Sequence, residues 1–178
     1  MKASRLRGTA VISISEATKQ GRVRDLLLDP NRRRVVALSI ASTGGGPAKL
    51  IFTKDIHSVG PDAVTVRDSE LLRDEHPTHG NGEVYLSRLR GMKVITESGR
   101  VMGSVADVEI DPTSFAITGY ELTTGVLSEL TGQRKKLPAD KNVHYGKDLL
   151  VVREGQPSEE GERVPEPQPK REALTEKQ

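Results

Sequence analysis

Residues 21–30 read GRVRDLLLDP and residues 103–112 read GSVADVEIDP. The two stretches share the pattern Gly-x-Val-x-Asp-x-x-x-Asp-Pro at an offset of 82 residues. Apolar residues recur at every second position, which is typical of a strand with one buried face. The Asp-Pro pair then predicts a turn, because Pro fixes φ and the preceding Asp can accept backbone N–H bonds. The residues predicted to face the core are Leu26, Leu28, Val108 and Ile110.

Two further matches flank this pattern in the same order along the chain. The sequence SRLRG at residues 4–8 recurs at residues 87–91, an offset of 83. Residues 60–66 (Gly-x-Asp-x-Val-x-Val) correspond to residues 146–152 (Gly-x-Asp-x-Leu-x-Val), an offset of 86. Offsets that drift by a few residues are typical of small insertions in loops. The chain is therefore interpreted as a tandem duplication.

Both copies are predicted to be β throughout. Short apolar runs separated by turn residues about every ten positions indicate a small barrel or sandwich. With no Trp, two Phe and three Tyr, the core must be built mainly from Val, Leu and Ile. Single helical turns are predicted only at residues 70–73 and 126–130. The other predicted strands are 10–14, 35–41 and 63–66 in the first copy, and 92–96, 115–123 and 149–152 in the second.

The chain divides into four predicted segments. The two barrels span residues 4–68 and 87–154, and a polar linker with one Pro and two Gly spans residues 69–86. Residues 155–178 hold six Glu, four Lys or Arg and four Pro, a composition too polar to offset chain entropy, so we expect a disordered tail. Because a unit of about 65 residues buries little surface, the barrels are expected to pack against each other or against a second chain.

The combined pattern of S-x-L-x-G-x-x-V, G-x-V-x-D-x-x-x-D-P and a closing G-x-D-x-V-x-V resembles the PRC-barrel family. This family includes barrels in the photosynthetic reaction centre H subunit and in the ribosome-maturation factor RimM. The resemblance covers nearly all of residues 4–154. It implies an all-β fold of two tandem six-stranded barrels that contact other proteins without catalysis. The signature residues, interpreted as structural, are Gly21, Asp25, Asp29, Pro30, Gly103, Asp107, Asp111 and Pro112.

Composition excludes several classes of site. The chain has no cysteine, which excludes disulfides, thiolate metal sites and thiol nucleophiles. No stretch approaches the ~18 apolar residues of a membrane span, and no secretory signal is evident. A cytoplasmic protein is the expectation. No nucleophile or metalloprotease motif occurs, so we predict neither an enzyme nor a cofactor.

The acidic residues Asp107, Glu109 and Asp111 lie on one predicted strand face. Such a row could coordinate a hard cation, but the preferred interpretation is a solvated face. Residues 44–47 (Gly-Gly-Gly-Pro) lack the Lys-Ser or Lys-Thr and the helix of a phosphate-binding loop, so a hairpin loop is predicted there.

The four histidines are the remaining metal candidates. Two lie in the linker and two near the ends of the barrels, without the spacing of a zinc site. No metal site is predicted from them. They are His57, His76, His79 and His144.

Seven arginines form the candidate contact with a partner or with phosphate. Phosphate neutralisation by such residues would give salt-dependent nucleic-acid binding. Because aromatic stacking platforms are scarce in this chain, a solvated charged surface is the preferred interpretation. These arginines are Arg5, Arg7, Arg32, Arg33, Arg34, Arg88 and Arg90.

Three functions remain open from the sequence. The leading hypothesis is a cytoplasmic adaptor that binds another protein, or itself as a homodimer, through an exposed strand edge or face. The alternative is a ribosome- or RNA-associated assembly factor that uses its arginines. The third, by family analogy with the reaction-centre H subunit, is a peripheral component of a membrane complex.

Overall fold

A computed structural model of the chain describes residues 1–74, 82–124, 134–140 and 142–153. Strands dominate it, and the helical elements described are single turns. In the first copy, hereafter repeat 1, the strands are β1 Ala10–Ser13, β2 Thr18–Asp29, β3 Arg34–Ser42, β4 Lys49–Phe52, β5 Ile56–Val59, β6 Ala63–Val66 and β7 Arg73–Asp74. In the second copy, repeat 2, they are β8 Val84–Tyr85, β9 Lys93–Thr96, β10 Val101–Ile110, β11 Ile117–Thr123, β12 Lys135–Pro138, β13 Val143–Tyr145 and β14 Leu149–Val152.

The two repeats have the same strand order. In repeat 1 the order is β5-β6-β1-β2-β3-β4, and in repeat 2 it is β13-β14-β9-β10-β11-β12. The opening and closing strands of each repeat pair in parallel, while the other neighbours are antiparallel. The duplication and the six-stranded units predicted from the sequence are confirmed.

A β-bulge in β2 and β10 sets the phase of the buried residues. The register shifts between Val23 and Asp25 and again between Val105 and Asp107. Leu26, Leu28 and their counterparts face the core, as predicted. Strict alternation with Leu26 and Leu28 predicts that Arg24 also faces the core, and this prediction is wrong. The bulge inserts one residue, so that Val23 faces the core instead of Arg24.

A glycine before each bulge lets two strands approach closely. A Cβ built on Gly21 would lie 2.1 Å from the Ala41 carbonyl oxygen, and one on Gly103 would lie 2.2 Å from that of Thr123. Both glycines have positive φ, +159° and +140°. The recurring glycine of the signature is therefore required by backbone contact between strands.

Each Asp-Pro turn is closed by its aspartate, as predicted. Asp29 Oδ1 accepts the Arg32 N–H at 3.0 Å, and Asp111 Oδ1 accepts those of Thr113 and Ser114 at 2.9 and 2.7 Å. The two amides, with the Ser114 hydroxyl, hold the pKa of Asp111 below its ordinary value. These bonds favour the charged carboxylate and so fix the turn.

The two turns then pair with each other across the repeats. The Val35 N–H donates to the Phe115 carbonyl at 2.8 Å, and the Ile117 N–H donates to the Arg33 carbonyl at 2.8 Å. Arg33 and Phe115 both adopt positive φ, 53° and 57°. Because Arg33 and Phe115 are equivalent positions, the contact has approximate twofold symmetry.

A second reciprocal contact joins each SRLRG segment to the other repeat. The Ser4 N–H donates to Asp107 Oδ1 at 3.2 Å, and the Ser4 hydroxyl donates to Asp107 Oδ2. The Ser87 N–H donates to Asp25 Oδ1 at 3.3 Å. The signature serine and aspartate therefore hold the repeats together. Asp107 is only 4% exposed, so the solvated face expected for it is wrong.

The chain segments just before the SRLRG sequences are exchanged between the sheets. Strand β8 of repeat 2 pairs with β2 of repeat 1, with Leu27 opposite Tyr85. The equivalent bridge in the other direction joins Lys2 to Glu109. A single apolar cluster includes buried residues of both repeats, which gives two small units one shared core.

The predicted linker has structure at both of its described ends. A 3-10 turn at Ser69–Leu71 overlaps the helical turn expected at 70–73, but Arg73 belongs to β7, which pairs with β4. At the other end lie β8 and the one-turn helix α1, Leu86–Leu89. Residues 126–130 and the tail, 155–178, lie outside the described residues.

Substitution of Gly103 by Ala is expected to lower the free energy of unfolding by about 2–3 kcal/mol, because the new Cβ overlaps the Thr123 carbonyl. Urea unfolding of the full chain measures it. The matched control is Gly46→Ala, where the nearest atom would be 3.8 Å away, with a change of less than about 0.5 kcal/mol. Equal effects of the two substitutions would contradict this role of Gly103.

Substitution of Ser4 by Ala is expected to destabilise the chain by about 2 kcal/mol, because it removes a hydroxyl donor to a buried carboxylate. Ser87→Ala is the control, since Ser87 reaches Asp25 through its backbone N–H and the substitution retains that group. The same unfolding titration compares them. A larger loss for Ser87→Ala than for Ser4→Ala would refute the assignment.

Candidate functional site

The outer edge of β12 differs from the equivalent edge in repeat 1. Strand β4 pairs with β3 on one side and with β7 on the other. Its counterpart β12 pairs with β11, and within the described ranges no strand lies on its other side. Among the described residues, repeat 2 therefore presents a sheet edge that repeat 1 covers with β7 of its own chain.

The hydrogen-bonding direction along β12 follows from its pairing with β11. Gly119 lies opposite Pro138 and Tyr120 opposite Leu137, and the Ala139 N–H donates to the Thr118 carbonyl at 3.1 Å. Backbone groups in an antiparallel ladder alternate in direction. The N–H and C=O of Lys136 therefore point away from β11, toward the open edge.

Charged side chains flank this edge. Lys136 Nζ lies 2.6 Å from Glu109 Oε1 on β10, the strand on the far side of β11. This contact raises the pKa of Lys136 above its ordinary value, first through the hydrogen bond and then through the charge. The Lys136 side chain is thus held over the sheet, and its backbone remains at the edge.

A polar cleft of about 590 Å³ opens beside the start of β12. Its walls come from the bulge in β10, from the end of β11, from the residue before β12 and from the SRLRG segment. Arg90 is anchored there, because its Nε donates to the Ala106 carbonyl at 2.7 Å. The residues lining the cleft are Arg90, Gly91, Ser104, Val105, Ala106, Thr123 and Arg134.

A buried carboxylate lies next to this cleft. Glu121 is 4% exposed, and its Oε2 lies 2.8 Å from Lys2 Nζ and 4.0 Å from Arg134 Nε. Lys2 belongs to repeat 1, so the repeats supply opposite charges to this pair. An ion pair compensates the charge of a carboxylate that the fold removes from water.

The seven candidate arginines are distributed among several roles. Arg7 Nε donates to the Arg24 carbonyl at 3.0 Å, just as Arg90 binds its own bulge. Arg32 pairs with Asp29 at 3.6 Å and lies with Arg34 on a smaller cleft of about 210 Å³.

The other three arginines lie at exposed positions: Arg5, Arg33 and Arg88. The Arg33 guanidinium reaches the Ala139 carbonyl at 3.5 Å. Of the seven, the structure brings Arg90 alone to the large cleft of repeat 2.

The three carboxylates considered for a cation each bind protein donors. Asp107 accepts from Ser4, Glu109 pairs with Lys136, and Asp111 closes its turn. In the described part of the chain, no group of three or more His, Asp or Glu side chains is arranged to hold a metal ion.

The described histidines occupy equivalent strands. His57 lies on β5, in a cleft of about 390 Å³ that also includes Pro112 and Thr113 of repeat 2. His144 lies exposed on β13. His76 and His79 are outside the described residues. Residues 44–47 join β3 to β4, so the hairpin prediction there is confirmed.

Sequence reasoning missed the residues of the β12 edge and cleft. Ser104, Ala106 and Arg134 belong to no recognisable motif, whereas the sequence predictions were based mainly on residues that recur in both repeats. A position-by-position comparison of the repeats contains the signal: Arg22 and Arg24 in repeat 1 correspond to Ser104 and Ala106 in repeat 2.

Comparisons with known proteins agree with this architecture. The family model described as PRC-barrel domain matches the chain twice, at residues 1–73 and 81–156. A search of curated proteins found no match. Among the described helices, none has the length and apolar composition needed to cross a bilayer. The two matches cover most of the 178 residues and coincide with the two repeats, so the chain belongs to the PRC-barrel domain family as a tandem pair of barrels.

Proposed function

We propose that this chain is a non-catalytic module of the cytoplasm that binds another protein, by accepting an extended segment of that partner along β12. The carrying observation is the difference between the two equivalent edges. In repeat 1 the edge of β4 is paired with β7 of the same chain. The duplicated fold thus supplies its own example of a strand bound at this edge.

The exposed edge fits reversible binding of a strand. Backbone hydrogen bonds to an added strand give affinity, and neighbouring side chains give specificity. Lysines and Pro on an edge strand oppose uncontrolled pairing between copies. Here Lys135, Lys136 and Pro138 lie on β12, and the fold needs no disulfide, which suits the cytoplasm.

The polar residues common to both repeats support a non-catalytic role. Asp25 and Asp107 each bind the following backbone N–H and a serine of the other repeat. Asp29 and Asp111 each close a turn. Because structural bonds engage these carboxylates, the repeated signature is explained without a reaction.

A second candidate function, RNA binding, is favoured by the surroundings of Phe52. Lys54 Nζ and the Arg73 guanidinium lie 6.0 and 5.9 Å from its ring centroid. Arg32 and Arg34 line the adjacent cleft. An aromatic ring among cations is the arrangement that stacks nucleotide bases.

The third candidate, a peripheral place at a membrane complex, rests on family analogy and is tested by membrane fractionation.

Substitution of Lys136 by Pro is expected to abolish partner binding, because it removes the N–H that points to the open edge. An edge strand tolerates Pro at such a position, so the fold should persist. The measurement is crosslinking and affinity purification of the full chain from its native host, with and without RNase. The expected result is loss of the partners that the unmodified chain retains after RNase treatment.

Lys136→Ala is the matched control, because it also removes the Glu109 ion pair but keeps the backbone N–H. Partners lost equally with both variants would argue against strand addition. Partners that disappear on RNase treatment would favour the RNA candidate. Sedimentation equilibrium shows whether the bound partner is a second copy of this chain.

A further inference from the structure

Arginine side chains occupy, in repeat 1, the place where repeat 2 has its large cleft. The Arg22 guanidinium donates to the Gly8 carbonyl at 2.7 Å, and Arg24 Nε donates to the Ser39 hydroxyl at 3.1 Å. Gly8 corresponds to Gly91, which lines the cleft in repeat 2. The two arginines thus fill the groove between the SRLRG segment and the bulge in repeat 1.

Repeat 2 has neither of these side chains. Ser104 stands at the position of Arg22, and Ala106 at that of Arg24. Both replacements are short, and both line the resulting cleft of about 590 Å³. The cleft is therefore open in repeat 2 because short side chains occupy the two positions at which repeat 1 has arginines.

The cleft retains positive charge after these losses. Lys2 compensates Glu121 at 2.8 Å, while Arg134 is more distant at 4.0 Å. Arg90 is fixed by the Ala106 carbonyl, and in the described ranges it forms no ion pair. Two guanidinium groups on one cleft favour a planar carboxylate, which can accept paired N–H bonds.

The cleft reaches the start of β12, because Arg134, which lines it, directly precedes that strand. The pairing of β7 with β4 in repeat 1 indicates which end of an added strand would lie next to Arg134. In that antiparallel pair Asp74 lies opposite Lys49, the counterpart of Lys135. A strand added to β12 in the same way would direct its C-terminal end toward Arg134, and the bound example already carries an acidic residue at that end.

We propose that the Arg90–Arg134 cleft binds a side-chain carboxylate near the C-terminal end of the segment that adds to β12, so that the partner is an acidic extended peptide. This inference rests on the proposed function and specifies the chemistry of the partner. Strand pairing places the peptide, and the two guanidinium groups select for acidic residues at its end.

The test uses the full chain and two synthetic peptides with blocked termini. The first has the sequence of residues 69–75, SELLRDE, which contains the two residues of β7, Arg73 and Asp74, that pair with β4 in repeat 1. The second peptide, SELLRNQ, replaces the carboxylate side chains of the last two residues by side-chain amides. Each is titrated at low ionic strength, where charge contacts are least screened, and followed by the backbone amide NMR signals of β12 and the cleft. Inorganic phosphate is a third probe.

The acidic peptide is expected to shift both sets of signals and to bind about 10-fold more tightly than the neutral one. Ala106→Arg, which restores the residue of repeat 1, is expected to remove this preference by filling the cleft next to Glu121. Arg134→Gln should weaken binding of the acidic peptide alone. Arg67→Gln, the same change at an exposed arginine of repeat 1, is the control and should leave binding unchanged.

The remaining outcomes separate the two proposals. Equal affinity for both peptides, with shifts along β12, would overturn the carboxylate site and leave strand addition intact. Cleft shifts without β12 shifts would overturn strand addition, and with it the proposed peptide. Phosphate that displaces the acidic peptide and reproduces its cleft shifts would show a general anion site and overturn selection for a peptide. Failure of both peptides to bind would overturn both proposals.

Discussion

Two buried aspartates impose the constraint on which the structure depends. Asp25 and Asp107 lie at the bulges that reset the phase of β2 and β10. Each accepts the next backbone N–H and a donor from the opposite repeat. A buried carboxylate without donors is costly, so the bulge, the SRLRG turn and the interface between repeats must form together.

The proposed function follows from where the repeats differ. The signature serine and aspartate at the shared interface recur in both repeats, because each serves the approximate twofold contact from its own side. Residues on the outer groove have diverged, from Arg24 to Ala106 and from Ser39 to Glu121. In the part of the chain that the structure describes, repeat 1 is closed by its own side chains and by β7, whereas repeat 2 has a cleft and an unpaired edge. A duplication permits this difference, since one copy can preserve stability while the other changes.

Periodicity and repetition predicted the duplication, the Asp-Pro turns and the strands β1, β2, β3 and β6 with their counterparts in repeat 2, but they did not predict β5, β12 or β13. Leu26, Leu28, Val108 and Ile110 lie in the core as alternation requires. Alternation failed at position 24, since a bulge adds a residue without a local signal. Burial of Asp107 could not be predicted, because its donor Ser4 lies 103 residues away. The cleft depends on side chains that are absent, which motif searches do not register.

The exchange of short segments between the sheets has a consequence for the origin of the chain. Strand β8 completes the sheet of repeat 1, and Lys2 bridges to the sheet of repeat 2. Two separate copies of one such unit could form the same reciprocal contacts as a symmetric homodimer. In this chain the covalent connection between the two copies allows each of them to carry different residues at equivalent positions, which a symmetric homodimer of one sequence cannot do.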